Sequence, residues 1–225
     1  MKYYKYYLLS LLVIVIDQSV KMLVHFNMEP GIAGQIPIFD DWFKLHYVTN
    51  PGMAFGLQLG SDYGKLVLSL FRLIAMAAIA YYLLVMARKD VHKGLLWCTA
   101  LILGGAIGNV IDSTFYGIWL DNAPEGTPTP WFHGQVIDMF YLDLWEGVIP
   151  DWVPVFGGQG MSLWPIFNVA DASIFMGVTV ILLMQKRFFA EKHLDTLTTD
   201  TQNSAANDED KIADEPRDIN EKAVS

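Results

Sequence analysis

Four stretches of this chain are apolar and close to twenty residues long, the length that crosses a bilayer as a helix. Leu66–Ala87 is broken only by Ser69 and Arg72. Gly94–Ile111 carries Thr99 and Asn109 as its strongly polar members. Phe167–Gln185 is interrupted by Asn168, Asp171 and Ser173. Tyr6–Val24 is the weakest: its apolar core Leu8–Ile16 contains Ser10, and Asp17, Gln18 and Lys21 follow. Basic residues precede that core, as in a cleavable signal peptide, but Asp17-Gln18-Ser19 stands where a small-x-small cleavage site belongs. A retained first helix is therefore the expectation.

The net charge of -9 looks wrong for a chain that is 53% apolar. The conflict resolves by position. Residues 195–225 hold nine Asp/Glu against three Lys/Arg, so most of the acidity belongs to a polar tail. Such a tail is expected to be disordered and solvated. The sparsely charged remainder suits a membrane body. No basic stripe exists to neutralise phosphates, so nucleic-acid binding is not expected. A single cysteine, Cys98, leaves neither a disulfide framework nor a Cys-based metal site and reads as a packing residue. No metal or cofactor is expected.

Positive charge sets the orientation. Lys2 and Lys5 precede the first span, Arg88, Lys89 and Lys93 lie between the second and third, and Lys186, Arg187 and Lys192 follow the fourth. Residues 113–165 contain no Lys or Arg, and residues 25–64 contain only Lys44. Both termini are expected in the cytoplasm, with loops 25–65 and 113–165 outside. Six of the seven tryptophans lie in those loops (Trp42, Trp119, Trp131, Trp145, Trp152 and Trp164), which suits the outer interface. Phe43–Val48 alternates like a short strand. The expected architecture is an all-α membrane protein of four helices, spanning about 6–24, 66–87, 94–112 and 166–185, with a small outer β-containing subdomain and interfacial loops. The membrane domain would cover 1–193 and the acidic tail 194–225.

Ionisable groups inside spans are costly and commonly functional. Here they gather towards the outer ends: Asp17 and Lys21 in span one, Asn109 and Asp112 ending span three, Asn168 and Asp171 opening span four. Asn-x-x-Asp occurs twice, at Asn109–Asp112 and Asn168–Asp171, and the i,i+3 spacing puts each pair on one helix face. Gly104, Gly105 and Gly108 thin span three so that another helix can approach. Asp138 sits in an apolar run, Val136-Ile137-Asp138-Met139-Phe140. Two carboxylates converging at a poorly hydrated site cannot both ionise, and a pair sharing a proton can activate water and protonate a leaving amine. Neither H-E-x-x-H nor G-x-S-x-G is present.

Each of these residues has a plainer role open to it. Asp17 and Lys21, at i,i+4, could be a structural ion pair. Asp112 reads as a cap or a hydrogen-bond partner for nearby backbone, and Arg72 as a side chain that snorkels to the outer surface or meets a loop carboxylate. His133 reads as incidental, and Asp40, Asp41, Asp143, Glu146 and Asp151 as solvated loop charges. A small transporter or proton relay would also carry intramembrane acids, but with polar groups on both sides and internal repeats. A purely structural scaffold would have to bear the cost of the buried acids.

Five ordered motifs give the chain a resemblance: Asp17-Gln18-x-x-Lys21; Asn50-Pro51-Gly52-Met53-Ala54-Phe55-Gly56; Gly104-Gly105-Ala106-Ile107-Gly108-Asn109-Val110-Ile111-Asp112; Val136-Ile137-Asp138; and Phe167-Asn168-Val169-Ala170-Asp171-Ala172-Ser173. Over roughly residues 5–190 it resembles the bacterial lipoprotein signal peptidases (signal peptidase II), four-span aspartic proteases. The resemblance implies that Asp138 and Asp171 are the catalytic dyad. It implies that Asp17, Lys21, Asn50, Gly52, Asn109, Asp112 and Asn168 shape or support the site. It implies diacylglyceryl-modified prolipoproteins as substrates, cut just before the lipidated cysteine at the outer face of a bacterial inner membrane, and the cyclic peptide globomycin as an inhibitor. The chain departs from the family pattern at Pro51 and Met53, where Thr and Ala are frequent, and at Ser113, where an Arg is common. The stretches between Asp112 and Asp138 and between Asp138 and Asn168 are long for the family.

Overall fold

The computed structural model describes residues 3–40, 42–51, 64–89, 91–152, 157–158, 160–162 and 164–189. Gly52 with the rest of its motif as far as Gly56, Asp41, and the acidic tail lie outside the described residues.

Three helices are long and apolar enough to cross a membrane: α1 (Tyr4–Asn27), α2 (Gly64–Arg88) and α3 (Lys93–Trp119). A fourth, α4 (Val169–Leu183), is equally apolar but has 15 residues. At about 1.5 Å per residue that is roughly 22 Å, less than a bilayer core of about 30 Å. The expected span of 166–185 is thus shortened at both ends. Residues up to Leu182 form one compact unit; Leu183–Ser225 is a second, described as far as Phe189.

The central helix is α3. Its glycines let neighbours come close. A Cβ at Gly104 would lie 2.9 Å from the Ser10 carbonyl of α1, and one at Gly105 would run into the Ala170 carbonyl of α4. The buried stripe of α1 is Tyr6, Ser10, Val13, Asp17, Lys21 and Val24, steps of three and four that turn one helix face to α3. Ser10 Oγ seals this seam by donating to the Ala100 carbonyl at 2.8 Å. The remaining faces of α1 and α2 are exposed Leu, Val, Ile, Phe and Tyr, as helices surrounded by lipid require.

Beyond the span lengths the chain forms a small antiparallel sheet, β1 (Ile36–Phe39), β2 (Phe43–Asn50) and β3 (Val136–Leu142), in the order β1-β2-β3. A second antiparallel pair, β4 (Glu146–Val148) with β5 (Gly160–Ser162), stands in the long segment after β3. The sheet packs on the helix ends through Val24, Tyr47, Tyr116, Ile137 and Met139. This explains why α3 runs seven residues past the expected end at 112: Ser113, Thr114, Tyr116 and Gly117 are buried. Trp119, expected in a loop, is the last residue of that helix.

A bulge in β2 controls what faces the site. Leu45 pairs with Phe140, whereas Val48 pairs with Asp138, so three steps on β2 match two on β3. Side chains alternate faces along a strand. Without the extra residue, Asn50 would share the face of Ile137; with it, Asn50 shares the face of Asp138.

Candidate active site

Two polar clusters meet where α1, α3, α4 and β3 converge. The first is closed and ionic. Lys21 Nζ lies 2.8 Å from Asp17 Oδ2 and 2.5 Å from Asp112 Oδ2, with all three side chains fully buried. It also donates to Asn109 Oδ1 at 3.1 Å. Gln18 Nε2 donates to Asp112 Oδ1 at 2.8 Å and to Asp17 Oδ2 at 3.1 Å, while its Oε1 accepts from Tyr116 Oη at 3.0 Å. A Cβ at Gly108 would sit 2.6 Å from Asp17 Oδ2, so the carboxylate needs glycine there. Asp112 therefore bonds an ammonium and an amide, not the backbone assigned to it from sequence.

Asp17 reaches further. Its Oδ1 accepts from Ala170 N at 2.8 Å, satisfying one of the amides left free at the start of α4. Asn168 caps the same turn, its Oδ1 accepting from Asp171 N at 2.9 Å. The second Asn-x-x-Asp is thus a helix-start device that fixes Asp171 in the first turn. The first, Asn109–Asp112, is mid-helix and sends its two side chains to different clusters.

The second cluster holds Asp138 and Asp171 and is built of amides. Asp138 Oδ2 accepts from Asn50 Nδ2 at 3.0 Å and Oδ1 from Asn168 Nδ2 at 2.6 Å. Asp171 Oδ1 accepts from Asn109 Nδ2 at 2.8 Å. Asn168 Nδ2 also reaches Asn109 Oδ1 at 3.3 Å, which joins the carboxylates through two asparagines. Asp138 is 1% exposed. Burial pushes its carboxyl up to about 7; the charge of Asp171 pushes the same way, against the two asparagine donors and Lys21. Asp138 stands on β3 between Ile137 and Met139, which turn into the core, so its own side chain faces the site.

Of the residues singled out from sequence, Asp17, Lys21, Asn50, Asn109, Asp112, Asn168, Asp138 and Asp171 come together here; Gly52 is not described. Sequence reasoning missed three contributors. Gln18 was visible only as part of the Asp17 motif. Tyr116 lay beyond the expected span. Arg72 reaches inward from α2: its Nη1 donates to Ser113 Oγ at 3.2 Å, and Ser113 Oγ donates to the Asn109 carbonyl at 2.9 Å. The guanidinium acts electrostatically on Asp171, Asp112 and Asp138. An arginine from α2 thus reaches Ser113 of α3. Cys98 is buried and free, as expected of a packing residue. His133 is buried, with Nδ1 at 2.9 Å from the Trp131 carbonyl. Asp143 pairs with Lys44 at 2.7 Å, so it is not the solvated loop charge anticipated. Among the described residues no group of three or more His, Cys, Asp or Glu is arranged to hold a metal ion.

The family model described as signal peptidase (SPase) II matches residues 9–187. The chain is 48% identical over 205 residues to the lipoprotein signal peptidase of Amoebophilus asiaticus, covering 89% of this chain and 87% of that one. It is 43% identical over 190 residues to that of Porphyromonas gingivalis, covering 80% and 81%. It is 33% identical over 184 residues to that of Chlorobium phaeobacteroides, covering 82% and 97%. Its fold is similar to that of a bacterial membrane enzyme solved by the in meso method at 1.9 Å resolution, with a TM-score of 0.52 at 21% identity over 80% of this chain and 92% of the other. The chain is thus a membrane peptidase and belongs to the signal peptidase II family.

Proposed function

We propose that this protein removes the signal peptide from diacylglyceryl-modified prolipoproteins by an aspartic mechanism, cutting just before the lipidated cysteine. The observation that carries this reading is the amide-bonded pair. Asp138 and Asp171 come from different elements, are joined through Asn168 and Asn109, and are held by amides, where Asp17 and Asp112 share the Lys21 ammonium.

A water held between the two carboxyls would attack the scissile carbonyl. The ionised member of the pair takes the proton from water, and the protonated member gives one to the leaving amine. The proton belongs to the pair, not to one residue. A carboxyl held near 7, as Asp138 is, suits the protonated role at neutral pH. Asn50, Asn109 and Asn168 hold the carboxyl oxygens in place. Asp17, Lys21 and Asp112 fix α1, α3 and α4 relative to each other.

The asymmetry of Lys and Arg argues for cytoplasmic termini, α4 as the fourth span, and a site at the outer face of a bacterial inner membrane. The substrate's acyl chains would then remain in the outer leaflet while its peptide reaches the dyad. A globomycin-type cyclic peptide would compete for the same site.

The test is cleavage of a lipidated precursor in detergent by Asp138→Asn and Asp171→Asn, each verified as folded. Both are expected to lose turnover by on the order of 10⁴-fold, as for removal of a principal catalytic group. Near-normal turnover by either variant defeats the assignment. An unlipidated precursor is expected to be left uncut.

A further inference from the structure

Lys65 stands in the first turn of α2 and is only 8% exposed, yet among the described residues its Nζ has no hydrogen-bond partner. An ammonium has three donors to place, and burying it without an acceptor is strongly unfavourable. The other buried lysine of the bundle meets that cost in full: Lys21 has Asp17, Asp112 and Asn109. Lys65 is a cation prepared for an acceptor that the chain itself does not supply.

Its helix face connects it to the dyad. Lys65, Ser69 and Arg72 follow at steps of four and three, which puts them on one side of α2. That side meets the outer end of α3 and the segment after it. Ser69 Oγ donates to the Phe132 carbonyl at 2.7 Å, and Arg72 Nη1 donates to Ser113 Oγ. The Arg72 charge acts on Lys65 in one direction and on Asp171 and Asp138 in the other. Lys65 is thus the outer member of a polar line whose inner member acts on the catalytic pair. Depth adds a second constraint. With 25 residues at about 1.5 Å each, α2 is roughly 37 Å long, more than a hydrocarbon core of about 30 Å. Its first turn therefore lies at the level of lipid glycerol esters, between the acyl chains and water.

We propose that Lys65 is a substrate-binding residue whose ammonium donates to the ester carbonyls of the diacylglyceryl group on the precursor's cysteine. The inference rests on the reading of the dyad given above. In that reading the scissile bond lies at Asp138 and Asp171. The glyceryl thioether then places two ester carbonyls a few bonds from it, at the depth of Lys65. Their oxygens are the acceptors that the buried ammonium lacks. A site built to bond an oxygen rejects an analogue without it more sharply than an apolar surface can. Lys65 thus reads the lipid by its esters, where the apolar helix faces read only its chains. A phosphate would bind the ammonium more strongly. It would belong to a phospholipid, however, standing where the substrate's own lipid has to enter.

The test compares two lipidated precursors with the full-length enzyme in phospholipid-free detergent. One carries the diester; the other carries alkyl ethers of equal length, which keep the apolar chains and lack the carbonyl oxygens. The unaltered enzyme is expected to show a KM about tenfold higher for the diether, the size of one hydrogen bond from a charged donor. Lys65→Met keeps the bulk and removes the donors. It is expected to raise KM for the diester about tenfold, to leave kcat within about twofold, and to abolish the difference between the precursors. Lys65→Arg, which keeps donors and charge, is expected to restore part of the preference. Equal KM for both precursors in the unaltered enzyme overturns the proposal without recourse to any variant. A Lys65→Met effect of the same size on both precursors overturns it as well. A third arm adds phosphatidylglycerol. Inhibition that Lys65→Met abolishes while the ester preference survives would give the ammonium to a phosphate, and the proposal falls. Loss of diester cleavage in Asp138→Asn reports separately on the dyad: normal cleavage there defeats that reading and leaves the ester preference measurable.

Discussion

The two clusters are made of the same residue type and do opposite things with it. Asp17 and Asp112 are fully buried and share one ammonium, that of Lys21. Asp138 and Asp171 are held by neutral amides, which orient a carboxylate without cancelling it. The first arrangement ties three helices together. The second leaves a pair in which the charge of Asp171 raises the affinity of Asp138 for a proton. A buried acid is thus paired or merely oriented according to whether its neighbour is a cation or an amide, and here both solutions share Asn109, which accepts from Lys21 and donates to Asp171.

The largest effect that would break this contrast is on stability. Lys21→Met leaves two carboxylates buried without their cation, and removal of one partner from such a group costs about 3–5 kcal/mol. The variant is expected to lose most of its folded yield, measured as monodisperse protein after detergent extraction at neutral pH. Lys21→Met combined with Asp17→Asn and Asp112→Asn should recover a substantial part of that yield, because the uncompensated charge is gone. If Lys21→Met alone purifies and unfolds like the unaltered protein, the ionic cluster does not hold the helices. Asp138→Asn and Asp171→Asn, by contrast, should purify normally and fail only in cleavage.

A smaller effect is expected from Arg72, a cation of α2 that acts electrostatically on the amide-bonded pair. Arg72→Gln removes a positive charge that favours ionised carboxyls, so more of the pair stays protonated at a given pH. Turnover at neutral pH is expected to fall on the order of tenfold, about 1.4 kcal/mol in the barrier. Both limbs of the pH–activity profile should move to higher pH. Ser113→Ala deletes the same hydrogen bond but keeps the charge, and should leave the limbs in place. A profile that shifts equally in both variants would make Arg72 a brace between α2 and α3 and nothing more.

These residues also show where the sequence stops being legible. The polar members of the apolar runs could be found because membrane spans tolerate so few of them; Asp17, Gln18, Lys21, Asn109, Asn168 and Asp171 converge, whereas Ser10, Ser69, Thr99 and Ser173 donate to backbone carbonyls. The stripe through Asp17, Lys21 and Val24 is readable as helical spacing. What no spacing reveals is pairing across the fold. Arg72 and Ser113 are 41 positions apart. The continuation of α3 to Trp119 was hidden because its last turns are polar and aromatic and are buried by the sheet rather than by lipid; Ser113, Tyr116 and Gly117, at steps of three and one, were the faint signal. Phe43–Val48 could be read as a strand, but its two partners and its bulge could not, since register is set by contacts in space.

That bulge carries the smallest and most specific effect. Asn50 faces Asp138 only because of the extra residue in β2, and its amide donates to a carboxyl oxygen that is already buried. The bond favours the ionised form and so opposes the burial that holds Asp138 near 7. Asn50→Ala removes that donor and pushes the carboxyl further up. If the protonated pair member is the acid in the reaction, the basic limb of the pH–activity profile, where that proton is lost, must move to higher pH, by less than about one unit for a single hydrogen bond of roughly 1 kcal/mol. Activity would then begin to fall at a higher pH in the variant than in the unaltered enzyme, even though its maximum is lower. Deleting one residue of the bulge at His46 should move the limb the same way, because the register then turns the Asn50 side chain towards the face of Ile137. A basic limb that stays fixed in Asn50→Ala would mean that the proton lost there is not held on Asp138, and the contrast between the two clusters would have to be redrawn around Asp171.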